Sequence, residues 1–177
     1  MGEMDPNKLI FIDETGAHLN MTLPYARAQG GHRIRMGVPA NRGTQLSIIG
    51  AISTHRVEGV LYGEWATDGD IFYQFCDSQL VPILQPGYTV IMDNISFHKS
   101  ERVKGIIEAT GATLAFLPAY SPDLNPIEPL WSKIKNRIKQ GEPRTLAEFK
   151  KVIKHAFRSI TPENLTAWFT HCGYATN

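Results

Sequence analysis

The fold is decided by residues 88–117, which read YTVIMDNISFHKSERVKGIIEATGATLAFL. The apolar, β-branched run at 88–92 predicts a short buried strand that stops at Asp93. A helix that ends at Gly111 follows, and residues 113–117 form the next apolar run. Two short strands that are joined by a helix pair in parallel through a right-handed crossover. This stretch therefore predicts the parallel half of an α/β sheet.

The residues that precede this stretch predict an antiparallel half. The apolar run at 8–12 indicates a strand that ends at Asp13. The runs at 45–53 and 57–65 are separated by only three residues, which is typical of a hairpin. Residues 67–84 begin with N-cap side chains and carry an apolar stripe, so a connecting helix is expected there. Together the two halves predict a mixed α/β sheet, three antiparallel strands followed by parallel strands, with helices on both faces.

The C-terminal third is predicted to be helical. A proline-rich loop at 118–126 leads into a helix over about 126–140. Thr145 and Glu148 fit a capping box for a second helix, and Thr161 followed by Pro162 opens a third. Because the 177 residues contain no linker or repeat, residues 1–177 are expected to form a single domain.

Composition excludes several classes of protein. Apolar residues make up 42% of the chain and charged residues 20%, which is ordinary globular usage and excludes a disordered or coiled-coil protein. No apolar run approaches the roughly 20 residues of a membrane span, so no membrane partner is expected. Cys76 and Cys172 are too isolated for a zinc site or a disulfide scaffold, and they favour a reducing, intracellular setting.

Positive charge is concentrated in two segments of the chain. Nine basic and two acidic residues give residues 129–160 a net charge of +7, and the rest of the chain carries −6. The nine basic residues are Lys133, Lys135, Arg137, Lys139, Arg144, Lys150, Lys151, Lys154 and Arg158. A second stretch carries Arg27, Arg33, Arg35 and Arg42 with no acidic residue between them. Segregated positive charge suggests a polyanionic partner, since neutralising phosphates releases counterions; a solvated helix face is the alternative.

Two aspartates end predicted strands. Asp13 and Asp93 lie at the edge of an α/β sheet where functional sites form. Neighbouring carboxylates repel each other unless a cation or a proton neutralises one of them. Oxygen ligands suit Mg²⁺ or Mn²⁺, so the pair indicates a divalent metal site. The alternative is that each aspartate caps the turn that follows it.

Glu128 has two interpretations. It lies in the run SPDLNPIEPLW at 121–131. Asn125 as N-cap, Pro126 as the first helical residue and Glu128 as the partner in a capping box would explain the run by local structure alone. The functional interpretation is that Glu128 presents a third carboxylate to the same metal site. A glutamate folded back onto Asn125 could not also bind a metal well.

Several neighbouring residues are weaker candidates. Glu14 is expected to point to the opposite side of its strand from the preceding aspartate. His98 is either a catalytic helper, a phosphate contact or a structural histidine, and Lys99 follows it. Tyr120 and Trp131 are expected to pack rather than to stack on bases.

Three segments together resemble one family. They are FIDET at 11–15, IMDNISFHK at 91–99 and LPAYSPDLNPIEPLWSK at 117–133. They resemble the catalytic domain of the mariner superfamily of DDE transposases, and the nearest branch is that of bacterial insertion sequences (IS six-thirty-like). The run SPDLNPIE is the most specific part, and 34 residues separate Asp93 from Glu128, a spacing that this branch uses. The resemblance extends from about residue 8 to about residue 159.

The resemblance implies a fold, a site and an activity. The fold would be ribonuclease H-like, and the catalytic triad would be Asp13, Asp93 and Glu128. In the family these residues hold two Mg²⁺ ions, for which Mn²⁺ can substitute. The activity would be DNA strand cleavage followed by strand transfer, in cut-and-paste transposition of an insertion sequence. The partners would be double-stranded DNA, as transposon ends and as target, and a second copy of the chain in a homodimer on DNA.

Charge and resemblance together predict a set of DNA contacts, a location and a missing module. The expected DNA contacts are Arg33, Arg35, Arg42, His98, Lys99, Lys133, Lys135, Arg137 and Lys139. The expected location is the bacterial cytoplasm, at the nucleoid during the reaction. The N-terminal helix-turn-helix domain that the family uses to recognise element ends is expected to be absent from residues 1–177. The alternatives are another ribonuclease H-like nuclease or integrase, and an inactive DNA-binding remnant.

Overall fold

The computed structural model describes residues 5–23, 30, 37, 40, 41 and 43–174. Its described residues contain one five-stranded sheet in the order β3-β2-β1-β4-β5. The strands are β1 (Leu9–His18), β2 (Gln45–Ile52), β3 (Val57–Gly63), β4 (Thr89–Met92) and β5 (Thr113–Phe116). β1, β2 and β3 pair antiparallel, whereas β4 pairs in parallel with both β1 and β5. The predicted mixed sheet is confirmed.

β1 is longer than the sequence predicts. It does not end at Asp13 but continues to His18, because antiparallel pairing with β2 holds the backbone extended over its whole second half. Its parallel pairing with β4 stops earlier, at Ile12 opposite Met92. The polar residues after Ile12 therefore mark the end of the parallel pairing rather than the end of the strand. Asp13 is the first residue beyond that point.

Among the described residues, five α-helices connect or follow the strands. They are α1 (Gly69–Phe75), α2 (Glu101–Glu108), α3 (Ile127–Gly141), α4 (Leu146–Arg158) and α5 (Pro162–His171). The predicted helix over 67–84 is only partly α-helical: Asp68 caps α1, and a π-helical turn (Cys76–Leu80) and a 3₁₀ turn (Val81–Ile83) follow. Pro82 has no backbone N–H, so a regular α-helix cannot continue through it. No helix in the described part of the chain is long and apolar enough to cross a membrane.

The helices cover both faces of the sheet, and alternation along β1 assigns each residue to one face. Leu9 and Phe11 are buried against α3, α4 and α5, whereas Ile10 and Ile12 are buried against α1, α2 and the turns after α1. Successive side chains of a strand point to opposite faces. Asp13 therefore lies on the α3 side of β1, and the residue after it lies on the α1–α2 side. This alternation positions the candidate site.

Candidate active site

Three carboxylates line one cleft of about 420 Å³. Asp13 comes from β1, Asp93 directly follows β4, and Glu128 lies in the first turn of α3. The loop at 117–122, which follows β5, forms much of the remaining wall. The structure thus brings together the three acidic residues that the sequence singled out, at the carboxyl ends of the parallel strands.

Asp13 is a buried carboxylate held by three donors. Its side chain belongs to a residue that is only 8% exposed. Oδ1 accepts the backbone N–H of Glu14 at 2.7 Å, and Oδ2 accepts Nδ2 of Asn125 and Nε1 of Trp131 at 3.2 Å each. Burial raises the pKa of Asp13 to about 7; the negative charges of Glu14 and Glu128 add to this rise, and the hydrogen bonds oppose it. A bound cation would remove the cost of this buried charge.

Gly50 makes room for the indole that reaches Asp13. It lies opposite Asp13 in the register of β1 and β2. A Cβ atom at Gly50 would approach Cη2 of Trp131 to 2.6 Å, well inside van der Waals contact. The missing side chain therefore lets the Trp131 ring lie against β2 while Nε1 donates to the carboxylate. The prediction that Trp131 packs is correct as far as it goes, since this residue is buried, but it missed the hydrogen bond.

The capping-box interpretation of Glu128 is wrong. α3 begins at Ile127 after Pro126, and no side chain caps it. Asn125 contributes only its backbone oxygen, which accepts the Glu128 N–H at 3.1 Å, because its side-chain amide is turned towards Asp13. The Glu128 side chain is exposed and faces the cleft. The Asn125 amide binds the buried carboxylate of Asp13 instead of capping the helix, because an unsatisfied buried charge costs more than an uncapped helix end.

Asp93 is tied to a buried histidine. Nδ1 of His98 lies 2.5 Å from Oδ1 of Asp93, and Nε2 lies 2.8 Å from Oε1 of Glu14. Burial acts to lower the pKa of His98, but the hydrogen bonds and charges of Asp93 and Glu14 outweigh it and raise the pKa to about 9. The imidazole also packs on Phe72, with 4.3 Å between ring centroids. Because His98 is 0% exposed, the prediction that it contacts DNA is wrong.

The chemistry of the cleft fits divalent cations, although its carboxylates are not gathered as a finished site. Within residues 5–23 and 43–174, no three His, Cys, Asp or Glu side chains are close enough together to hold a metal ion. The donor set nevertheless consists of carboxylate oxygens, which Mg²⁺ and Mn²⁺ prefer. Oδ1 of Asp93 is buried beside His98, and the side chain as a whole is 39% exposed and lines the cleft. Metal binding would require Asp13, Asp93 and Glu128 to approach one another more closely.

The predicted DNA contacts other than the buried His98 fall into three groups. Arg33, Arg35 and Arg42 lie outside the described residues. Lys99, Lys135, Arg137 and Lys139 are exposed or half-buried at the surface. Lys133 differs from both groups, because its Nζ donates to the Ser159 backbone oxygen at 3.0 Å and to Oδ1 of Asn164. This lysine joins α3 to the end of α4 and to α5, so its ammonium group is already engaged within the fold.

A second cleft, of about 670 Å³, lies between α3 and α4. Its basic lining consists of Arg137, Arg144 and Lys151, and Glu142, which pairs with Arg144 at 3.4 Å, also lines it. Glu148 also lines it, but this carboxylate accepts the backbone N–H groups of Arg144 and Thr145 in the capping box of α4. The sequence predicted that capping box correctly. The cleft therefore lies within the +7 segment and is lined by three basic and two acidic side chains.

Tyr120 stands at the edge of the carboxylate cleft. The prediction that it packs is wrong, because its side chain is fully exposed. Its backbone has a φ of 57°, a left-handed conformation that is costly for residues with a Cβ atom. The 3₁₀ turn at Pro122–Leu124 follows it directly and leads into α3. The aromatic ring is thus presented to solvent beside the three carboxylates.

Comparison with known proteins agrees with this geometry. The sequence profile of the DDE superfamily endonucleases matches residues 8–150. Among curated proteins, no sequence matches the chain. The fold is similar to that of several solved structures of Mos1 transposase, which share 13–14% sequence identity with it. This similarity confirms the ribonuclease H-like fold.

Three of these structures show the extent of the likeness. A pre-cleavage Mos1 transpososome gives a TM-score of 0.74 at 14% identity, over 98% of this chain and 58% of that one. A mariner Mos1 paired-end complex with Mg gives 0.75 at 14% identity, over 95% and 54%. The catalytic domain of Mos1 mariner transposase gives 0.68 at 13% identity, over 95% and 76%. This chain therefore spans somewhat more than half the length of the Mos1 chains in the two complexes.

Proposed function

This chain belongs to the DDE superfamily of endonucleases, and we propose that it is the catalytic domain of a mariner-superfamily DNA transposase from the bacterial insertion-sequence branch. Its proposed activity is metal-dependent cleavage of DNA strands followed by strand transfer, in cut-and-paste transposition. The observation that carries the proposal is the placement of Asp13, Asp93 and Glu128 around one cleft. A buried aspartate whose pKa is raised to about 7 beside two more acids is poorly suited to packing and well suited to holding cations.

The three carboxylates would hold two divalent ions, Mg²⁺ or Mn²⁺. When bound, such ions make a water or a 3′-hydroxyl a better nucleophile and stabilise the negative charge of the leaving 3′ oxygen. The protein's own contribution is orientation. Asn125 and Trp131 fix Oδ2 of Asp13, and the turn into α3 directs Glu128 into the cleft. No side chain of the cleft needs to act as a nucleophile.

The basic surface of α3 and α4 supports DNA as the substrate. Arg137 and Lys151 line the cleft between these helices, beyond the carboxylates. Arginine and lysine contacts to phosphate position a duplex without reading its sequence. In this proposal the duplexes are transposon ends and target DNA, and two copies of the chain assemble on them. Solved structures with a similar fold include a transpososome and a paired-end complex of Mos1, which supports this assignment.

The proposed organisation follows from the same assignment. Residues 1–177 would form a single catalytic domain. Such a domain would act in the bacterial cytoplasm, at the nucleoid. An inactive DNA-binding remnant is the second candidate, because the three carboxylates do not form a ready metal site among the described residues.

A cleavage and joining assay tests the proposal. Purified protein is incubated with Mg²⁺ or Mn²⁺ and a labelled duplex carrying the terminal repeats that border the coding sequence, and the products are separated on a denaturing gel. We expect nicked strands first and then strands joined to target plasmid. Asp93→Asn should abolish both products, because it keeps an acceptor for His98 but removes the charge. Asp77→Asn, an exposed change away from the cleft, is the matched control and should leave both products unchanged.

The product pattern separates the candidates. Cleavage without joining would indicate a nuclease of the same fold. Retained DNA binding with neither product, under either metal, would indicate the inactive remnant. Full activity of the Asp93→Asn variant would contradict the triad itself.

A further inference from the structure

The two strands that carry the catalytic aspartates separate just before those residues. Parallel pairing of β1 with β4 ends at Ile12 opposite Met92. Asp13 remains in place because β1 is still paired with β2. Asp93 lies beyond the last paired residue of β4, in a segment of irregular backbone that leads to the 3₁₀ turn at Phe97–Lys99. The backbone alone therefore does not hold the second aspartate against the first strand.

A side-chain bridge spans this gap. Glu14 points to the face of β1 opposite Asp13 and meets His98 at 2.8 Å, while the other ring nitrogen of His98 meets Asp93 at 2.5 Å. Nδ1 also lies 3.3 Å from the backbone oxygen of Asp93. All of these partners are acceptor oxygens, so each ring nitrogen donates an N–H. The ring is 0% exposed and lies against Phe72, which leaves it little freedom to turn. One strand thus supplies a metal ligand on one face and the anchor for a second ligand on the other.

We propose that His98 is the positioning residue of the second aspartate: bridged to Glu14, its Nδ1–H holds the Asp93 segment beside β1, so that the Asp93 carboxylate stays at the cleft where a metal would bind. The proposal rests on the function proposed above. Nδ1 of His98 lies 2.5 Å from Oδ1 of Asp93 and 3.3 Å from its backbone oxygen, while the 39% exposed side chain lines the cleft. Hydrogen bonds that orient metal-binding carboxylates typically change metal affinity by roughly 10- to 100-fold when they are removed. His98 contributes no ligand itself, since its two nitrogens face Glu14 and Asp93.

Two substitutions separate the positioning role from a purely structural one. In His98→Asn the amide nitrogen takes the place of Nδ1 and keeps a donor for Asp93. In His98→Gln the amide nitrogen takes the place of Nε2 and keeps a donor for Glu14 only. Both changes remove the ring from Phe72, so any loss of packing affects them alike. The matched pair thus differs in which carboxylate is still held.

The experiment measures binding of Mn²⁺ alone, from the electron paramagnetic resonance signal of the free ion, in the full chain. Folding is checked by far-UV circular dichroism. We expect wild type to remove Mn²⁺ from solution, His98→Asn to bind within a few-fold of wild type, and His98→Gln to bind roughly 10-fold or more weakly. Glu14→Ala removes the anchor while keeping the ring on Phe72, and it should weaken binding several-fold. It replaces the histidine pair if either of those variants fails to fold.

The failures of this inference and of the proposed function are distinguishable. If wild type binds Mn²⁺ and the two histidine variants bind it equally, His98 has only a packing role and the inference is overturned while the metal site stands. The same holds if Glu14→Ala binds as wild type does. If wild type itself leaves the Mn²⁺ signal unchanged, the proposed metal site is overturned, and the positioning role with it.

Discussion

Replacing Asp13 with asparagine should stabilise this protein at alkaline pH while abolishing its proposed activity. The pKa of Asp13 is raised by burial from its ordinary value of 3.8 to about 7. Because the pKa is higher in the folded state than in the unfolded state, ionisation of Asp13 opposes folding. The resulting loss in free energy of unfolding is absent below about pH 4, grows as pH rises to about 7, and is constant above that. Each pKa unit corresponds to about 1.4 kcal/mol, so the full cost is about 4 kcal/mol.

The variant should recover much of this cost. An asparagine amide is neutral and resembles the protonated acid, but its NH₂ group must face one of the three donors that surround Asp13. This mismatch costs the asparagine variant about 1–3 kcal/mol. It costs the protonated wild-type acid less, because that acid can turn its single proton away from the donors. We therefore expect Asp13→Asn to be more stable than wild type by about 2–4 kcal/mol at pH 8, and by less than half as much at pH 5.

Urea unfolding of both proteins at pH 5, 6, 7 and 8 measures the difference. Asp77→Asn is the matched control, since this aspartate is exposed, and it should give a small difference that does not vary with pH. Mn²⁺ should stabilise wild type, by about 2.7 kcal/mol at 100 times its dissociation constant, and should not stabilise the Asp13→Asn variant. A variant less stable than wild type at pH 8, or a gain independent of pH, would refute the view of Asp13 as an uncompensated buried carboxylate.

Four further predictions follow from particular contacts. Gly50→Ala should lower the free energy of unfolding by about 1–3 kcal/mol, because its Cβ overlaps an indole ring. Gly105→Ala in α2, where no described residue lies within 4 Å of the added Cβ, should raise it by about 0.5–1 kcal/mol; urea unfolding measures both. Lys133→Met should cost about 1–2 kcal/mol of stability, and an unchanged midpoint would show that its bonds to α4 and α5 are unimportant. Arg137→Gln should instead leave stability unchanged and reduce the salt dependence of DNA binding by about one charge; an unaltered slope in fluorescence titrations would place the DNA elsewhere. Tyr120→Gly should relieve left-handed backbone strain and leave the free energy of unfolding equal or up to about 1 kcal/mol higher. It should still weaken DNA binding if the exposed ring contacts bases, and an equal affinity for DNA would dismiss that contact.

Local patterns predicted much of the fold. The hairpin, the strand–helix–strand order and the capping box at Thr145 all depend on residues close together in the chain. Strand ends were harder to predict. The polar residues after Ile12 predict that β1 ends at Asp13, but backbone pairing with β2 keeps it extended to His18. Pairing of this kind leaves no signal in the strand's own polarity.

The candidate site divides in the same way. The sequence could identify Asp13 and Asp93 because each directly follows an apolar run, where a carboxylate does not contribute to packing. It could identify Glu128 because this residue belongs to the run SPDLNPIE. The hydrogen-bond and ion-pair partners of these residues could not be identified from the sequence. Asn125 looked like a helix cap, and its amide instead serves a carboxylate 112 positions away. For His98 the sequence left a catalytic helper, a phosphate contact and a structural histidine open, and the structure buries it between two acids.

The sequence by itself determined the order of the elements, the mixed sheet and the acidic residues of the cleft, because strand and helix periodicity and capping act over a few neighbouring residues. Only the tertiary structure decided which donors hold each carboxylate. Trp131 reaches Asp13 because Gly50 on another strand leaves space, and Glu14 reaches Asp93 through His98 because β1 and β4 part at Ile12. These contacts join residues that are distant in the chain, and competition among buried polar groups, rather than local preference, selects them.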